Sequence, residues 1–366
     1  MMNRSIYFDN AKGCLAVLVV LGHFTELMRH NVPIAGHVSM FIYIFHMPMF
    51  VLLSGYFSRA EVGWGAVRKG LIRVFLPYLF FQLVLVAITY CCHPMTHREL
   101  GRALLTPQGA LWYLFCLFWW RLSLPYFLKM PTPVAMALLL GLLGGFLPRG
   151  NLLFSSSRMM AFFPFFVLGY YLRIRGDWLA RAPDQRISSN MLAVPAYVLV
   201  LLLTLTGAIL LNGRHRTEFC YVVSYFQSGS PLWFSVLFRL LTYAAALLAG
   251  FSFLRLVPKT HSFVSQIGAR SLYVYLLHSL LLYTFWRTGV LKEIHDLGSV
   301  IVISLSSVPL AYLLATNLTR QLTRFLIEPE TVLSWVESSL RGLIDHAQRE
   351  GRGGRRTEAV SPQNAN

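Results

Sequence analysis

Charge is scarce in this chain, and acidic charge scarcest of all. Only 13% of the 366 residues are charged, with 15 aspartates and glutamates against 32 lysines and arginines. The long apolar runs hold almost no carboxylate: Glu26 sits near the far end of the first, and Asp9 just ahead of it. A relay of buried carboxylates, of the kind that couples ion gradients to transport, is therefore absent from the pattern. The five cysteines make no disulfide framework, because Cys14 and Cys116 fall within apolar runs and Cys91 adjoins Cys92; packing is their expected role. There is no C-x-x-C frame, and the histidines of the apolar runs fall on separate runs, so no metal-ligand spacing appears. No G-x-S-x-G surrounds Ser54, so a serine nucleophile is not expected. Arg4 and Lys12 precede the first apolar run as in a signal peptide, but no small-residue cleavage site follows, and the run is expected to stay as the first helix.

What the chain has in abundance is apolar surface. Hydrophobic residues make up 56% of it, aromatics 14%, and the mean hydropathy is +0.56, far outside the range of an ordinary soluble domain. The expected fold class is all-α: a polytopic membrane protein with about ten transmembrane helices. Apolar windows long enough to cross the hydrocarbon lie near 13–29, 38–57, 74–92, 109–126, 132–147, 159–172, 191–211, 232–254, 269–286 and 298–317. Membrane topology also accounts for most of the formal net charge of +17. With ten spans and both termini cytoplasmic, roughly two-thirds of the lysines and arginines fall on the inner side, among them Arg73, Arg121 and Arg270. Lipid, not nucleic acid, is the implied partner. The spans occupy a domain over 1–327. Pro329, between Glu328 and Glu330, reads as a helix start, and apolar residues recurring from Leu333 to Ile344 predict an amphipathic cytoplasmic helix over 328–349. The Gly- and Arg-rich stretch 350–366 has nothing to bury and is expected to be a disordered tail.

Polar side chains at depth in a bilayer are costly, so the few that remain are informative. His23, His46 and His278 fall within the first, second and ninth windows at similar depth, and can line one cavity. Lys12 and His23 are eleven residues apart, which on a helix is about 16 Å of rise and within roughly 20° of three full turns. They share a face. A cation at the inner mouth and an imidazole three turns deeper suit a long ligand with an anionic head and a reactive tail, and Glu26, at i+3, can fix the imidazole in one tautomer. Plainer roles stand beside these: Lys12 as a topology anchor, Glu26 as an interfacial charge, and His46 or His278 as helix–helix hydrogen-bond partners. Pro48 withholds an N–H two residues after His46 and can bend the second helix. Trp112 and Tyr113 can stack on a sugar or a base, or pack at an interface.

The run "YFDNAKGCLAVLVVLGHF" resembles the first helix of the membrane-bound acyltransferase family 3, in particular its fucose 4-O-acetylase-like branch, whose signature is a basic residue, ten positions and a histidine. "FHMPMFVLLSGYF", "LWYL", "FFPFFVLGYYL" and "SLYVYLLHSLLL" resemble later segments of the family in the same order. Lysine replaces the arginine of other branches at the basic position, keeping the charge and losing bidentate phosphate binding. The resemblance implies an enzyme of the bacterial inner membrane that moves an acyl group, usually acetyl, from cytoplasmic acyl-CoA to a hydroxyl of a cell-surface or secreted glycan. His23 is then the catalytic base, with Glu26 beside it. Lys12, Arg73 and Arg270 meet the CoA phosphates, and His46, Trp112, Tyr113, Tyr275 and His278 line the cavity or hold the acceptor. Acyl-CoA is a co-substrate, and no tightly bound cofactor is implied. A transporter or flippase for a saccharide or lipid-linked glycan, without acyl chemistry, is the competing class.

Overall fold

Each of the ten apolar windows is occupied by helix in the computed structural model, which describes residues 5–147, 154–176, 193–211, 224–289, 293–331 and 338–339. In chain order the helices are α1 (Ile6–Met28), α2 (Pro33–Phe57), α3 (Trp64–Gly70), α4 (Leu76–Cys92), α5 (His97–Leu105), α6 (Trp112–Phe127) and α7 (Pro133–Leu143). They continue as α8 (Ser156–Ile174), α9 (Ala193–Leu211), α10 (Leu232–Leu256), α11 (Phe263–Ala269), α12 (Ser271–Thr288), α13 (Leu297–Leu314) and α14 (Asn317–Ile327). No strand occurs among the described residues. By length and composition α1, α2, the run Trp64–Cys92, α10 and α13 can each cross a bilayer, and Pro133–Phe146 and Val194–Leu210 are shorter apolar helices. The chain is an all-α polytopic membrane protein. By the positive-inside expectation the end of α1 that carries Lys12 is named the inner side and the end that carries Glu26 the outer side.

The first two helices form the centre of the bundle. α1 packs on α2, α11, α12 and α13, while α2 packs on α1, α8, α9 and α10. Two crossings are closed by reciprocal glycines. A Cβ on Gly55 of α2 would overlap the Phe166 carbonyl of α8, and one on Gly169 of α8 would overlap the Leu52 carbonyl of α2. Between α1 and α11 the same exchange joins Gly13 to Val264 and Gly268 to Asp9. Close backbone approach of this kind is how helices associate where lipid removes the hydrophobic drive between them. Fully buried Asn10 adds polar contacts at the second crossing: its Nδ2 donates to the carbonyls of Pro258 (2.7 Å) and Thr260 (2.8 Å), and its Oδ1 accepts from Ser265 Oγ. Pro48 lies within α2, which runs unbroken to Phe57.

The third apolar segment carries a local distortion with a sequence cause. Between α3 and α4 the chain makes a π turn over Leu71–Phe75, with Leu76 N–H bonding to the Leu71 carbonyl. Pro77 follows and has no N–H for the Arg73 carbonyl, so the regular i→i−4 ladder cannot pass this point. Arg73 sits on that turn.

Two short helices lie outside the spans. α5 opens on a capping box in which Thr96 Oγ1 accepts from Glu99 N–H and the Glu99 carboxylate accepts from Thr96 N–H. Those bonds hold the Glu99 carboxyl below its ordinary range. α14 turns Leu318, Leu322 and Phe325 outward along one face, the pattern of a helix lying in the membrane interface. At its end burial opposes the charge on Glu328, but the Arg320 guanidinium, 3.1 Å away, holds that carboxyl below the usual range. The amphipathic helix expected over 328–349 is described only at 328–331 and 338–339, and the tail over 350–366 lies outside the described residues.

Candidate active site

The site begins at a glycine. Gly22 precedes His23 on α1, and a Cβ there would stand 3.0 Å from Tyr43 Cε1, so its absence lets Tyr43 of α2 lie against the first helix. The Tyr43 hydroxyl is 3.1 Å from His23 Nδ1, and the Tyr43 ring also faces the His46 ring, centroids 5.2 Å apart. From the other side α12 brings in His278, whose ring centroid is 5.6 Å from that of His23. His46 and His278 use the same local bond: each Nδ1 lies 2.8 Å from the carbonyl four residues earlier, Ile42 and Val274 respectively. A carbonyl only accepts, so Nδ1 carries the hydrogen in both rings and, in the neutral form, Nε2 keeps its lone pair. His278 Nε2 is buried with no hydrogen-bond partner.

These side chains border three cavities that follow one another through the bundle. A small central cavity of ≈ 90 Å³ is lined by His23, Tyr43, His46, Trp112, Arg158 and Tyr275, among others. Outward, sharing His23 and Ala110 with it, is a cavity of ≈ 270 Å³ that adds Glu26, Gln108, His278 and Trp286. Inward, sharing Met47 and Tyr275, is one of ≈ 230 Å³ lined by Ser54, Arg73, Tyr113 and Arg121. His23 thus stands where the central and outer cavities join. Tyr275 donates to the Ala110 carbonyl, and Tyr113 shares a hydrogen of 2.5 Å with Ser54 Oγ, so both aromatic walls of the inner passage are anchored.

The structure gathers most of the sequence-predicted residues and separates a few. His23, His46, His278, Trp112, Tyr113, Tyr275 and Arg73 all face the cavity series. Glu26 lines the outer cavity, but its carboxylate accepts from Arg29 Nε (2.8 Å) and Ser39 Oγ (3.1 Å), and the group on His23 Nδ1 is Tyr43. Lys12, at the inner end of α1, pairs with Asp9 at 3.0 Å and lies 5.6 Å from the Phe57 ring centroid, outside the linings of the three cavities. Arg270 borders a different inner cavity of ≈ 770 Å³ and donates to the Ala315 carbonyl and to Asn317 Oδ1.

Sequence reasoning passed over Tyr43, Gln108, Arg121, Arg158 and Trp286. Arg121, counted in the sequence only among the inner-side cations, lies within α6, half-buried, its Nε without a partner. Its signal was an arginine inside an apolar window. Arg158 opens α8, 5.2 Å above the Trp112 ring.

A helical membrane bundle with buried His46 and His278 and half-buried His23 along a series of internal cavities defines a polytopic protein with a polar site inside its transmembrane domain. Residues 5–316 match a family model described as an acyltransferase domain. The chain belongs to that acyltransferase family. Among curated proteins it is similar to nodulation protein NolL of Mesorhizobium japonicum, 35% identical over 86 residues, covering 22% of this chain and 23% of that protein. It is likewise similar to nodulation protein NolL of Sinorhizobium fredii, 36% identical over 86 residues, 22% of this chain and 24% of that protein. The chain thus aligns with about a quarter of the length of these relatives. No solved structure matches.

Proposed function

We propose that this acyltransferase takes an acetyl group from cytoplasmic acyl-CoA and places it on a hydroxyl of a cell-surface or secreted glycan, with His23 as general base. The observation that carries this reading is the position of His23 at the join of two cavities, one continuing to inner-side arginines and the other to the outer side. The donor's anionic head meets Arg73 and Arg121 at the inner passage, where a guanidinium can bind phosphate oxygens in pairs. Its acyl end reaches the central cavity, whose small volume suits a short acyl group. The acceptor approaches from the outer cavity. With Nδ1–H donating to the Tyr43 oxygen, His23 Nε2 accepts the acceptor's hydroxyl proton as the oxygen attacks the thioester carbonyl. The C–S bond then breaks, and the imidazolium returns the proton to the departing thiolate, leaving an ester and free CoA. Lys12, Arg270 and Glu26 act at one remove in this scheme, as a mouth cation, an inner-face cation and an outer-cavity carboxylate. The bacterial inner membrane is the setting in which cytoplasmic donor and external acceptor meet.

The test is replacement of His23 by alanine, followed by measuring acetyl groups on the cell's glycans by mass. Unchanged acetylation at normal protein levels would end the proposal. A connected cavity series is also what a saccharide carrier requires. Labelled acetyl-CoA separates the two classes, since a carrier leaves the thioester intact.

A further inference from the structure

The proposed reaction uses His23 and leaves His278 without a task, although His278 is the more buried of the two. Its exposure is 0%, its Nδ1–H is committed to the Val274 carbonyl, and its Nε2 is a buried acceptor with no hydrogen-bond partner. Buried polar atoms are almost always satisfied, so an orphan on a cavity wall marks a place where something else supplies the hydrogen. The wall is that of the outer cavity, which His278 shares with His23, Gln108 and Trp286. None of the side chains on that wall bonds to it, and the Gln108 amide is already committed to the carbonyls of Ala103 and Thr106. The two imidazoles face the same space with ring centroids 5.6 Å apart, close enough for one small polyol to touch both. Trp286, partly exposed at the outer end, offers an apolar platform for the C–H face of a sugar ring.

We propose that His278 Nε2 accepts a hydrogen bond from the hydroxyl next to the one that His23 deprotonates, so that the acceptor of this enzyme presents a vicinal diol. His278 binds and orients the acceptor; it takes no proton in the reaction. This rests on the acyl-transfer reading of the site. It adds that one hydroxyl of a pair is held while the other attacks, which sets the regiochemistry. A site built around an unpaired acceptor rejects ligands that cannot fill it.

The experiment uses glycan isolated from cells carrying His23→Ala, incubated with labelled acetyl-CoA and membranes containing wild type, His278→Ala or His278→Gln. His278→Ala should transfer about tenfold more slowly or worse at equal protein level, with the KM for acetyl-CoA within about threefold of wild type. His278→Gln keeps an acceptor atom in place and should recover part of the rate. The position of the acetyl group on wild-type glycan, read by NMR, should be a carbon whose ring neighbour carries a free hydroxyl. The inference is overturned by unchanged transfer in His278→Ala, by a loss matched by a rise in the donor KM, or by an acetyl group with no free vicinal hydroxyl. If wild-type membranes put no label on the glycan at all, the failure belongs to the acyl-transfer reading itself.

Discussion

Replacing Tyr43 by phenylalanine removes one oxygen atom and leaves the ring. The ring's contact with His46 and its fit against Gly22 are kept, so α1 and α2 should pack as before. What is lost is the partner 3.1 Å from His23 Nδ1. A part-buried hydrogen-bonding group left without its partner costs about 1–3 kcal/mol. If that whole cost falls on the transition state, in which the imidazole gains a proton at Nε2, about 1.36 kcal/mol per factor of ten gives a rate loss between roughly fivefold and roughly 150-fold. The loss should appear in kcat. The KM for acetyl-CoA should hardly move, because Arg73 and Arg121 line the inner cavity, which Tyr43 does not border. The assay is transfer of labelled acetyl from acetyl-CoA in membranes, with donor varied at saturating glycan. A Tyr43→Phe rate within about twofold of wild type would refute the view that this hydroxyl sets the tautomer and aim of His23.

Three further outcomes follow from the same geometry. Gly55→Ala forces a methyl group into the Phe166 carbonyl, and overpacking of about 1–3 kcal/mol or more should lower the melting temperature of the detergent-purified protein; an unchanged midpoint would show that the α2–α8 crossing gives way freely. Arg121→Ala should raise the KM for acetyl-CoA about tenfold while transfer at saturating donor survives, and an unaltered KM would remove Arg121 from the donor path. Arg73 Nε donates to Glu330 across 2.6 Å at an exposed position, a pair worth about 0.2–1 kcal/mol, so Glu330→Gln should free the guanidinium and lower the donor KM by up to about fivefold; a higher KM would mean that Glu330 helps the donor bind.

The helices were legible because a span must be long, apolar and uninterrupted, and each of the ten windows contains helix. His23 and His278 were legible as candidates because a bilayer tolerates few imidazoles, and the structure sets their rings side by side. What the pattern could not reveal was which neighbour each would find. Glu26 stands one turn from His23 in sequence, yet the atom on Nδ1 comes from Tyr43 on another helix, admitted by the missing side chain of Gly22. Helical spacing places Lys12 and His23 on one stripe, while the passage inward from His23 is walled by α2, α6 and α12 and reaches Arg73 and Arg121. α14 was hidden for another reason: its exposed Leu318, Leu322 and Phe325 alternate with Arg320, Gln321 and Arg324, so it falls beyond the last apolar window, which ends at 317.

The reciprocal glycine contacts all lie toward the inner ends of their helices: Gly13 with Gly268, Gly55 with Gly169. They lock α1 to α11 and α2 to α8, backbone resting on backbone, whereas α1 and α2 meet through side chains such as those of Ile42 and Tyr43 against Gly22. Any rearrangement of the first two helices is thus confined to the seam between them, each carrying its glycine-locked neighbour along as one rigid half.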